Sequence, residues 1–148
     1  GKSVTALVYD GTFPPNANGC DAGDPYDRGR GTKKLAYFTM VLLTETLDGA
    51  TAVTTLPRTG TARIYRFTRD GRFTWVVWSE ARDGETVHLQ TGAATRVRIT
   101  DAVPAAEHGE DIDDPTTAHP TREEIVHGSV ILELGLSPVF VEELASDP

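Results

Sequence analysis

Residues 64–79, IYRFTRDGRFTWVVWS, are two apolar strand-like runs joined by Asp70-Gly71. That dipeptide suits a two-residue hairpin turn better than almost any other. Side chains alternate along a strand, so Tyr65 and Phe67 share one face of the first run, and Phe73, Trp75 and Val77 share one face of the second. Trp75 and Trp78 are three apart and point to opposite faces. A strand that is apolar on both faces has to be covered on both. The hairpin is therefore predicted to be the middle of a layered structure, with both tryptophans buried.

Working outward, the period stays at two on either side. Thr51 to Leu56 reads as a strand, ended by Pro57-Arg58-Thr59-Gly60. Asp83-Gly84 marks a second hairpin turn leading into Thr86 to Gln90, which predicts a three-stranded antiparallel meander. Arg96 to Thr100 is a further strand. Glu124 to His127, Ser129 to Leu134 and Val139 to Glu142 are short strands, and Pro138 suits the start of an edge strand. About eight short strands at this rhythm predict a mainly β chain, an antiparallel β-sandwich with one N-terminal α-helix.

That helix is predicted over Thr32 to Leu47, with Thr32 as N-cap and Asp48-Gly49 as its stop. Leu35, Phe38, Thr39, Leu42 and Thr46 form one stripe; Ala36, Met40, Leu43 and Leu47 form a second beside it. The arc is wider than the rim of a small sheet requires. One stripe is expected on the sandwich and the other partly exposed. Before the helix, Lys2 to Asp10 reads as a strand apolar on both faces. It is followed by an aperiodic loop, Gly11 to Gly31, rich in Gly, Pro, Asn and Asp.

The 148 residues are enough for one core, and 39% hydrophobic with 24% charged residues is ordinary for a globular chain. No apolar run approaches the roughly 20 residues of a membrane helix, so no membrane partner is assigned. The single Cys20 cannot close an intrachain disulfide, and the compartment stays open. The net charge is −8, unevenly spread: residues 51–100 hold eight Arg against four Asp/Glu, residues 101–148 one Arg against twelve. The acidic part would repel phosphate backbones and the arginines are spread along strands, so nucleic acid is excluded as a partner.

Motifs for chemistry are sparse. His88, His108, His119 and His127 show no metal-binding spacing, and no GxSxG, GxxxxGKS or GxGxxG is present. Asn16, Asn18, Asp21, Asp24 and Asp27 are oxygen ligands of the kind calcium takes, but their order does not match an EF-hand loop. No metal and no cofactor is assigned. Tryptophan faces can stack on sugar rings, although in apolar strands they more often pack the core.

Read in order, a strand, a long loop, KKLAYFTMVLLTETLDG, RIYRFTRDGRFTWVVWS and the terminal LELGLSPVFVEE, the chain resembles the end of a clan A glycoside hydrolase. Those enzymes are (β/α)8 barrels, many with a C-terminal β-sandwich. Lys34-Leu35-Ala36-Tyr37 resembles the start of their last barrel helix, and Tyr65-Arg66-Phe67, Val76-Val77-Trp78 and Pro138-Val139-Phe140 resemble their sandwich strands. The acidic insertion 105–120 and Leu35, where many relatives have Pro, depart from the pattern, and no subfamily is assigned. The resemblance implies that residues 1–49 are the terminal strand, loop and helix of a barrel and 50–148 an accessory sandwich. It implies that the two catalytic glutamates come from barrel strands outside this chain, with Tyr9 and Asp10 as substrate-cleft residues. The partner it implies is the catalytic barrel, with carbohydrate as a further partner. The rival reading is an independent carbohydrate-binding sandwich, which calls for exposed, coplanar aromatic rings on one face. A third is a structural or protein-interaction sandwich, marked by an exposed apolar patch.

Overall fold

The computed structural model describes residues 35–58 and 60–145. They form one helix, α1 (Leu35–Leu47), and eight strands: β1 (Ala52–Thr55), β2 (Ala62–Arg69), β3 (Arg72–Ser79), β4 (Glu85–Gln90), β5 (Arg96–Asp101), β6 (Thr121–Ile125), β7 (Ser129–Leu134) and β8 (Val139–Glu143). All pairings are antiparallel. Six strands make one sheet in the order β1-β2-β3-β8-β5-β6, and β4 pairs with β7 in a second. The predicted mainly β sandwich with one helix is the architecture found.

The central hairpin forms as its sequence demands. Arg69 pairs with Arg72, leaving Asp70 and Gly71 as a two-residue loop. Both have positive φ, 52° and 75°, as a type I′ turn requires. On β3, Trp75, Val76 and Val77 are all buried, so neither face of the strand meets water. Trp75 and Val77 pack with Ile64, Val97, Ile99 and Val141 against Val87, Leu89, Val130 and Leu132 of the small sheet. Val76 lies on the other face, with Phe67, Phe140 and Leu43 of α1. The large sheet is thus the middle layer between the small sheet and the helix.

Two expectations are corrected. β4 does not continue a meander: β3 pairs with β8, and β4 crosses to the second sheet. The reason lies at the turn. Past the β2-paired Ser79, the chain is held by Ser79 N–H donating to Gly135 O (2.8 Å), and the Glu85 carboxylate accepts from Ser79 Oγ at 2.7 Å and from Thr61 Oγ1. Asp83-Gly84 turns the chain between layers instead of within one. Pro138 does not open an edge strand, because β8 lies between β3 and β5. It precedes the first ladder residue, so its missing N–H costs nothing, while its carbonyl accepts from Ala102 N–H at 3.0 Å. Trp78 lies on the face opposite Trp75 and is mainly buried, as expected. It stacks on Tyr65 with ring centroids 5.5 Å apart and planes 9° apart, at the margin of the helix-covered patch.

Helix α1 buries Phe38 and Thr46 from one predicted stripe and Leu43 from the other. Met40, Leu42 and Leu47 are partly buried against the same cluster. The sheet therefore takes the seam between the stripes, which the wide apolar arc permits. Polar ties fix the position: Thr39 Oγ1 donates to Ala102 O (2.9 Å), and Arg69 Nη1 donates to Asp48 O (2.9 Å) just past the last turn. A guanidinium there satisfies an orphan carbonyl and opposes the negative end of the helix dipole. Gly49, at φ 72°, makes the stop.

Candidate functional site

Beside the helix, the outer face of the large sheet is open. A groove of about 570 Å³ runs there. Its apolar wall is the flank of α1, with Phe38, Val41 and Leu42, and Glu45 and Thr46 complete that side. Its floor is Arg98 and Thr100 of β5, Thr121 of β6 and Glu142 of β8. Pro115 to Thr117 form the far lip.

The floor follows from register. Thr74, Glu142, Arg98 and Glu123 oppose one another in sequence across β3, β8, β5 and β6. Arg98 Nη2 donates to Glu123 Oε1 at 3.1 Å, and Arg96 Nη2 to Glu123 Oε2 at 2.8 Å. These two guanidinium groups hold the Glu123 carboxyl below the usual range. Glu142 makes no hydrogen bond or ion pair among the described residues. A smaller hollow of about 230 Å³ continues past Arg98 and Glu142 toward Arg69, Arg72 and Glu143.

The lip is shaped by its own acids. Asp114 accepts from Thr116 Oγ1 (2.8 Å) and Thr116 N–H (2.9 Å), and these bonds lower its pKa. Asp111 Oδ2 accepts from His108 N–H at 3.0 Å. Asp111 and Asp114 thus turn back on the loop's own backbone, and no group of three or more His, Cys, Asp or Glu among the described residues could hold a metal. His119 lines the groove, but its ring belongs to the fold. Nδ1 lies 3.0 Å from Asp101 O and Nε2 3.2 Å from Phe38 O, tying the loop and β5 to the helix.

A third polar cluster closes the β3–β4 link. Glu85 accepts from Thr61 Oγ1, from Ser79 Oγ and from Thr61 N–H (3.4 Å), and its pKa is lowered, first by Thr61 and then by Ser79. Ser79 Oγ in turn accepts from Ala81 N–H at 2.9 Å. This is a clasp between turns, and Ser79 is fully buried in it.

Tyr9 and Asp10 lie outside the described residues, as do the strand 2–10, the loop 11–31 with its calcium-type ligands, and Thr32. The aromatic pair does not form a platform: Tyr65 and Trp78 spend a face on each other instead of lying side by side. Local sequence gives little signal for the groove: Thr46 falls in an apolar stripe of the helix, and Arg98 and Thr100 are visible only as the outward positions of one strand. No helix among the described residues is long and apolar enough to cross a membrane. No protein-family model and no curated protein matches the chain.

Proposed function

We propose that this chain is the non-catalytic accessory β-sandwich region of a glycoside hydrolase, packing on and stabilising a catalytic barrel. The observation that carries the reading is the placement of α1. The helix is a third layer on the sandwich, held by its seam and by ties at Thr39, Phe38 and Asp48. A helix so fixed passes its position to whatever segment precedes it. This is what a last barrel helix shared between barrel and sandwich would do.

The resemblance implies that the two catalytic glutamates lie on barrel strands outside this chain. Among the described residues, the carboxyls of Glu85, Asp114 and Glu123 are held below the usual range, each through hydrogen-bond donors. A glycosidase needs a general acid whose pKa is raised, facing a second carboxylate across the scissile bond. The purified chain is expected not to hydrolyse aryl-glycosides. Turnover abolished by changing one carboxylate of this chain would overturn the reading. So would a parent reading frame lacking about 250 residues of βα pattern upstream.

A further inference from the structure

Two buried threonines face the groove with hydrogen-bonding capacity in hand. Thr46 is 7% exposed and Thr100 5%, and both line it. Thr46 Oγ1 makes no hydrogen bond among the described residues. Two residues earlier, Thr44 Oγ1 donates to Met40 O at 3.0 Å, the usual outlet for a helical threonine. Thr91 has a hydroxyl sealed from solvent; that of Thr46 is not sealed, and Thr46 lines the groove. Thr100 Oγ1 accepts from Thr121 Oγ1 at 3.3 Å, and its own proton has no acceptor among the described residues. Between them, Glu142 is an uncommitted acceptor, and Arg98 keeps N–H donors beyond the one bonded to Glu123.

We propose that this groove binds a neutral polyhydroxylated ligand of mono- or disaccharide size. Hydroxyl groups both donate and accept, so one ligand can serve the Thr100 proton, the Glu142 carboxylate, the Arg98 donors and Thr46 in either sense. An anion would meet Glu45 and Glu142, and a cation would meet Arg98. Val41 and Leu42 offer an apolar wall for the C–H face of a ring. The volume falls in the roughly 300–1,000 Å³ range of small-ligand sites. The proposal does not depend on the glycosidase reading: it needs only the groove, and a chain that never met a barrel would keep it.

The test is an amide and methyl NMR titration of the 148-residue chain with xylobiose, cellobiose and myo-inositol in turn. The disaccharides and the free polyol separate a saccharide ligand from a polyol one. Saturable shifts at Thr46 and Thr100 are expected with at least one probe. Thr46→Val and Thr100→Val, which keep shape and remove the hydroxyl, should each weaken binding about three- to tenfold without lowering the melting temperature. Glu142→Gln, on the half-exposed floor, should weaken it similarly and carries the test if a valine variant fails to fold. No saturable shift in the groove with any probe overturns the proposal. So do shifts confined to Tyr65 and Trp78, or undiminished affinity in the folded variants.

Discussion

Trp75 and Trp78 sit three residues apart on one strand, and their replacement tests the two faces of the large sheet one at a time. Trp75 is 1% exposed in the inter-sheet core. An indole buries about 200 Å², which at about 25 cal/mol per Å² is near 5 kcal/mol as an upper bound. One term offsets this loss: Trp75 Nε1 is buried without a hydrogen-bond partner, and deleting it removes a desolvation cost of about 1–3 kcal/mol. Trp75→Ala should therefore cost about 2–4 kcal/mol, overlapping the lower part of the range of about 3–5 kcal/mol for large aromatics lost from cores. Trp75→Phe removes the same orphan donor while keeping most of the ring, and should cost less than about 1.5 kcal/mol. Trp78 is mainly buried and stacked on Tyr65. Losing about 100 Å², near 2.5 kcal/mol, together with the ring pair, about 0.5–1.5 kcal/mol more, puts Trp78→Ala at about 3–4 kcal/mol. Urea denaturation followed by far-ultraviolet circular dichroism measures all three without relying on the fluorophore that has been removed. A Trp75→Ala loss below about 1 kcal/mol would refute the layer assignment.

Two further predictions concern the β3–β4 link. Glu85 has its folded-state pKa held below the usual carboxylate range by Thr61 and Ser79. Its contribution to stability is thus fully present above the unfolded carboxylate range and fades as pH falls through the lowered folded value. The gap in melting temperature between wild type and Glu85→Gln should shrink as the buffer is taken from neutral to strongly acidic, and a constant gap would show that the clasp does not titrate with folding. Gly84 has φ 73°, and a Cβ there would lie 2.6 Å from Leu134 O, whereas a Cβ on Gly71, at φ 75°, meets nothing within 4 Å. Gly71→Ala should cost about 1 kcal/mol, from the left-handed conformation alone, and Gly84→Ala more than about 2 kcal/mol. Equal losses in chemical denaturation would mean that the Leu134 backbone yields freely.

The same dipeptide shows how far sequence reading reaches. Asp70-Gly71 is flanked so closely by apolar alternation that only a two-residue loop fits, and Arg69 pairs with Arg72 as expected. Asp83-Gly84 lies in a link running from Ser79 to Glu85, and alternation in β4 is the same whether the strand pairs with β3 or crosses to face it. What decides is the Glu85 clasp and the Ser79–Gly135 bond, contacts between residues far apart in sequence that no local pattern announces. β3 was legible because its two apolar faces demand two covers whatever the topology. The helix was legible as an arc, but which line of the arc meets the sheet is set by Phe67, Val76 and Phe140, one from each of three strands. The groove was not legible at all: its floor joins β5, β6 and β8, and it exists only because of where the helix stops.

Why the helix leaves a groove follows from dimensions. Six strands at about 4.8 Å spacing span roughly 24 Å, while a helix with its side chains is about 10 Å wide. One helix cannot cover the outer face of this sheet. Packed over β2, β3 and β8, it leaves the β5–β6 side to water, and the outward residues there are polar except for the exposed Ile125 at the end of β6. The polar ones are Arg96, Arg98, Thr100, Thr121 and Glu123, the arginines and Glu123 bonding one another across the strands. The step from covered to uncovered sheet is where an apolar wall meets a polar floor. Thr46 and Thr100 stand on its two sides, so the most ligand-like chemistry of the described residues arises where the fold's layering runs out.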